Sequence, residues 1–121
     1  MTTIIWLHAH WVWVALATTG LVGLWGLGLA IFKQRPGRAF GIAAGVAIVA
    51  MLVQVAAGVA LYVYGLRPLN GFHVFYGILI AVTFSLAYVY RAHLARRPAL
   101  WYGLLLLFVM GLGFRAWSNV T

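Results

Sequence analysis

Histidine is the one residue type in this chain that exchanges a proton near neutral pH, and it is the commonest metal ligand. The 121 residues include four His but no Asp, Glu or Cys. Without carboxylates there is no acidic proton relay, no carboxylate base and no oxygen cage for Ca²⁺ or Mg²⁺. Without thiols, disulfides, zinc–thiolate sites and iron–sulfur ligation are excluded too. Chemistry must come from His8, His10, His73 and His93, a few Tyr and Trp, Gln54, or a bound cofactor. His8 and His73 matter most as a pair, because two facing imidazoles on alternate helices are a recurrent way to hold haem iron axially.

The elements that must position them are plain from composition. Hydrophobic residues make up 66% of the chain and charged ones 7%. Four apolar stretches, 4–32, 39–64, 72–90 and 100–117, are each long enough to cross a bilayer as a helix. Only short connections remain, so the expected fold is all-α: one integral-membrane domain over 1–121, an up-down-up-down four-helix bundle. The first stretch is too long for a cleaved signal peptide and is expected to stay as a span. Pro68 ends the second helix and Asn70 is placed to cap the third.

Charge sets the expected orientation. Lys33, Arg35 and Arg38 lie between the first two spans, and Arg91, Arg96 and Arg97 between the last two. Only Arg67 and Arg115 fall on the opposite side. This bias puts both termini on the periplasmic or extracellular face of the cell membrane. The net charge of +8 therefore marks topology, and nucleic acid is not expected as a partner. Trp6, Trp11, Trp13, Trp117, Tyr62 and Tyr64 are expected as an aromatic belt at the outer interface.

Helical phase assigns the faces. His8 shares a narrow-profile face with Ala15, Thr19, Gly23, Gly26 and Ala30, whereas His10 points away among bulky apolar residues. On the second helix Ala43, Ala47, Ala50, Gln54, Ala57 and Gly58 form a bundle-facing stripe. Gln54 is its buried polar member, expected to hydrogen-bond between helices. Gly37, Gly41 and Gly45 make a GxxxG-type ladder on another face, suited to a helix of this chain or of a neighbouring subunit. His73 shares an arc with Tyr76, Gly77, Ile80 and Phe84.

His8 and His73 open alternate helices at the same outer end, so their depths should match. Gly77, one turn beyond His73, leaves room for a flat macrocycle, and Arg67 and Arg115 have no carboxylate here to pair with. Haem propionates would suit those arginines, and so would lipid phosphates. His93, in a basic turn, is expected to be solvated.

The segment His73-Val-Phe-Tyr-Gly77 resembles the His-x-x-x-Gly signature of haem A synthase helices. Met51-Leu-Val-Gln54-Val-Ala-Ala-Gly58 is similar to the Gln-x-x-x-Gly helix preceding such a His, and Gly111-Leu-Gly-Phe-Arg115 to the end of the helix opening each half of that enzyme. The likeness covers about half the chain. It implies a haem-holding half-bundle with a His pair near the outer face. The helix order is shifted by one, only one half is present and the enzyme's Glu is missing, so oxygenase chemistry is not implied.

Two readings follow. One is a membrane subunit carrying b-type haem or another tetrapyrrole for electron transfer in a respiratory or photosynthetic complex. Its iron ligands would be His8 and His73, with Gly77, Arg67 and Arg115 completing the cofactor site. The other is a cofactor-free structural or assembly subunit. Membrane lipids and other integral subunits, or further copies of the chain, are the expected partners in both. An enzyme or transporter is disfavoured, since no nucleophile has an adjacent base and no broken helix offers an ion site.

The orientation is directly testable. Cysteines introduced at Gln34 and Leu69 should react with an impermeant thiol reagent from opposite sides of intact cells. Labelling of both from outside would overturn it.

Overall fold

Inside a bilayer no water is present to satisfy a peptide group, so a chain this apolar must close its backbone hydrogen bonds within helices. The computed structural model, which describes residues 2–68 and 70–119, does so with α1 (Thr2–Ile31), α2 (Arg38–Val63), α3 (Gly71–Val89), α4 (Arg91–Leu94) and α5 (Pro98–Ser118). The probe position Leu69 lies outside the described residues. Four of these helices (all but α4) are long and apolar enough to span a membrane, making this a multi-pass membrane protein.

The helix ends have local causes. At the end of α1, Gln34 N–H donates to the Leu29 carbonyl at 2.8 Å and Lys33 N–H to that of Ala30 at 3.2 Å. This is a Schellman closure, and it puts Lys33 in the left-handed region at φ 54°. The same closure ends α2, with Gly65 at φ 90° and Leu66 N–H reaching the Leu61 carbonyl at 2.9 Å. Asn70 caps α3, its side-chain oxygen accepting from Phe72 N–H at 2.9 Å. The last span starts earlier than its apolar run: Pro98 occupies the first turn of α5, where a missing N–H costs nothing. The 91–97 connection also contains one helical turn, α4, set off by a break at Tyr90.

α1 is the hub. It packs along α2 on one side and α5 on the other, while α3 leans on α5 and barely meets α2. The buried face of α1 includes Ala15, Thr19, Gly23 and Gly26 from the expected narrow-profile face, joined by Leu16 and Gly20. The main core gathers Ala15, Leu16, Met51, Ile80, Phe84, Val109 and Leu112. A second core gathers Phe40, Ala44, Ala47 and Leu106 nearer the basic turns. α3 contributes only Ile80 and Phe84 to the interior. Large apolar side chains such as Leu21, Phe32 and Val63 are more than two-thirds exposed, as suits a surface solvated by lipid rather than water.

Lipid tails are as apolar as leucine, so the hub relies on close backbone approach. A Cβ on Gly26 would lie 2.7 Å from the Ala99 carbonyl oxygen and 2.9 Å from Gly103 Cα. One on Gly103 would lie 2.9 Å from Leu27 N. The crossing of α1 and α5 therefore requires glycine on both helices. By contrast, a Cβ on Gly37, Gly41 or Gly45 would meet no atom within 4 Å, so this ladder serves no helix contact within the chain.

Substitutions on the two faces separate these roles. Gly26→Ala or Gly103→Ala should cost about 1–3 kcal/mol of stability in mixed-micelle unfolding. Gly41→Ala should leave the unfolding midpoint unchanged or raise it slightly. Equal effects at all these positions would refute the distinction.

Candidate functional site

At the end of the bundle opposite the basic turns, α1 and α2 exchange polar contacts. His8 donates Nδ1–H to the Gln54 carbonyl at 3.1 Å, and the Gln54 amide nitrogen donates back to the His8 carbonyl at 2.7 Å. One turn deeper, the Trp11 indole N–H donates to the Ala50 carbonyl at 2.8 Å. Trp11 thus belongs to the packing between helices, whereas Trp6, Trp13 and Trp117 are exposed. Helix carbonyls already accept from their own ladder, so a bulky ring needs space beside the one it reaches. Gly58, four residues beyond Gln54, provides that opening: a Cβ there would sit 2.9 Å from His8 Cε1.

His73 is anchored by a different opportunity. Ala116 lies in the last turn of α5, where helix carbonyls lack a full set of internal partners. His73 Nδ1–H donates to the Ala116 carbonyl at 2.7 Å. The Asn70 amide reaches Asn119 Oδ1 at 3.3 Å, joining the start of α3 to the end of α5.

These anchors bring His8 and His73 together, with ring centroids 5.9 Å apart and planes at 88°. A carbonyl oxygen can only accept, so each Nδ1 carries the proton and each neutral ring keeps its lone pair on Nε2. Neither Nε2 has a hydrogen-bond partner among the described residues. An imidazole whose N–H rests on a carbonyl and whose second nitrogen is open is the usual form of a metal-ligating His. Two imidazoles bound to one metal at about 2 Å each have centroids about 6 Å apart, close to the separation found here.

A second feature marks the same place. Gln54 is buried, and its side-chain oxygen has no hydrogen-bond partner. An acceptor left so costs about 1–3 kcal/mol. Flipping the amide would turn that oxygen toward the His8 carbonyl and lose the contact with it.

The other residues singled out from sequence fall as follows. A Cβ on Gly77 would meet nothing within 4 Å, so the arc below His73 is open. Arg67 is exposed in the α2–α3 connection, 4.2 Å over the Tyr62 ring, and Arg115 is exposed on α5, 5.9 Å from the Tyr76 ring centre. Both arginines lie at the histidine end. His10 stacks on Trp6 and donates Nδ1–H to the Trp6 carbonyl, away from the pair. His93 lies in α4 at the basic end, its ring tilted 53° to that of Trp101 with centroids 5.2 Å apart.

No group of three or more metal-ligating side chains exists among the described residues. Two imidazoles do not complete a site for a bare ion. They suit only a group that brings its own equatorial donors, as a tetrapyrrole does. No family model, curated protein or solved structure matches this chain.

Sequence phase located His8, Gln54 and Gly58 but not how they engage. Which carbonyls hold the rings depends on helix register, which one-dimensional spacing does not give. The available signal was Gly58, four residues after a buried Gln and on the same stripe.

Gly58→Ala should push the His8 ring off the Gln54 carbonyl. In ¹⁵N NMR the His8 signals should move to a tautomeric mixture while those of His73 stay put. An unchanged His8 spectrum would show that the glycine is not what admits the ring.

Proposed function

We propose that this protein is a small integral-membrane subunit that carries a b-type haem, or a related tetrapyrrole, within an electron-transfer, respiratory or photosynthetic complex. The observation that carries this reading is the convergence of His8 and His73 from alternate helices, each fixed through Nδ1–H with Nε2 left open. His8 and His73 would be the axial ligands. Arg67 and Arg115 would neutralise the propionates, and Gly77 would leave space for the ring edge. When bound, the group would supply one-electron redox chemistry.

The chain's own part is to hold and orient. The Gln54 and Ala116 carbonyls fix both imidazoles in the ligating tautomer before any cofactor arrives, which lowers the cost of ordering on binding. The Gln54 amide ties α1 to α2 beside the site. Kinship with the haem A synthase half-bundle is part of the same proposal. The topology is up-down-up-down, with the six basic residues of the two turns on the cytoplasmic side and both termini outside. The partners are lipids and other integral subunits, or copies of the chain.

Protein purified from haem-replete cells, or titrated with haemin, should show a Soret band. His8→Ala and His73→Ala should each abolish or shift it, and His10→Ala should leave it in place. A wild-type protein that binds no tetrapyrrole under either condition would sink this reading in favour of a cofactor-free structural subunit. Loss of the band in His10→Ala alone would show that the wrong face of α1 was chosen.

A further inference from the structure

The Gly37–Gly41–Gly45 ladder, idle in the packing of the chain, forms one wall of a groove at the basic end. Its lining comes from Pro36, Gly37, Phe40, Gly41, Gly45 and Ile48, with Pro98 and Tyr102 of α5 opposite, and it encloses about 410 Å³. α2 and α5 touch only sparsely, which leaves the slot open between them. We infer that this groove binds one acyl chain of an anionic phospholipid whose phosphate is held by Arg35, Arg38 and Arg97. The inference stands apart from the tetrapyrrole reading, because it uses the other end of the bundle.

Length, volume and charge agree on this occupant. From Gly37 to Ile48 the groove follows α2 for about 17 Å at ~1.5 Å per residue. That is about the depth of one leaflet, half of a hydrocarbon core about 30 Å thick. The volume has room for roughly a dozen methylene-sized groups at ~30 Å³ each.

The mouth of the groove lies between two proline turns. Arg35 precedes Pro36, Arg38 follows Gly37 and Arg97 precedes Pro98, so each arginine is next in sequence to a residue of the lining. All three side chains are exposed, and the chain has no carboxylate to engage them. Guanidinium forks match phosphate oxygens and are worth more at a membrane surface than an isolated charge in water. A zwitterionic headgroup would carry the same phosphate but bring a cation into this cluster, so the site should select for net negative charge.

Native mass spectrometry of the full chain, released from bilayers of equimolar phosphatidylglycerol and phosphatidylcholine, tests this. The wild type should retain one phosphatidylglycerol with about a tenfold preference over phosphatidylcholine. Gly41→Leu, which puts a side chain into the groove from a position where a Cβ meets no atom within 4 Å, should reduce retention about tenfold. Gly45→Val serves the same purpose should Gly41→Leu not fold. Arg38→Gln combined with Arg97→Gln should keep a bound lipid but bring the preference close to one. Equal retention of the two lipids by the wild type would overturn the inference, as would unchanged phosphatidylglycerol retention in both groove-filling variants. If those variants instead convert an oligomer to monomer without altering lipid retention, the ladder is a helix seam and the lipid site is refuted.

Discussion

With no carboxylate in the chain, every ordered polar side chain in the bundle has to be held by a backbone carbonyl or another neutral group. That constraint shapes the rest. His8, Trp11 and His73 each donate to a helix carbonyl, and the Gln54 amide does the same in return. For the two imidazoles the opening is local: Gly58 makes room beside the Gln54 carbonyl, and the Ala116 carbonyl lies in the last turn of α5. Interhelical hydrogen bonds in membranes are worth only about 0.6 kcal/mol on average, so their value here is mainly orientational. They fix which imidazole nitrogen keeps its proton. A carboxylate partner would have held the ring too, but it would have stabilised the charged imidazolium, which cannot ligate a metal.

The two ends of the bundle divide the work. The histidine end holds its polar groups tightly and leaves two nitrogens and one amide oxygen without partners. At the basic end α2 and α5 meet only sparsely, and six cations cluster in the two turns. The glycine crossing of α1 and α5, beside Ala99 in the first turn of α5, is the rigid element. Because Gly23, Gly26 and Gly103 bring two backbones together there, α1 cannot rotate without a clash, and the angle at which His8 faces His73 is set about four to five turns away along α1.

Much of the architecture was legible in the sequence because lipid simplifies the code. Apolar runs of span length became α1, α2, α3 and α5, and Asn70 caps α3 as its chemistry predicts, whereas α2 ends at the Gly65 turn before Pro68 is reached. The start of α5 at Pro98 was missed because proline was read only as a breaker, although it also suits a first helical turn. Helical phase separated His8 from His10 correctly as to face, since His10 turns back to its own helix at Trp6. It placed Trp11 in the interfacial belt, where composition puts tryptophan by default. The indole lies instead against α2, because the Ala50 carbonyl offers an acceptor at the same depth. The glycine ladder was read as a helix seam, and only the three-dimensional packing reveals that its face borders a slot between helices.

The tautomers of His8 and His73 in the cofactor-free protein test the central claim most directly. In ¹⁵N NMR of selectively labelled protein at neutral pH, both rings should carry their proton on Nδ1, with Nε2 unprotonated. On addition of haemin both Nε2 resonances should shift or broaden beyond detection, while those of His10 and His93 persist. An Nε2–H tautomer on either ring, or Nε2 signals indifferent to haemin, would contradict the account.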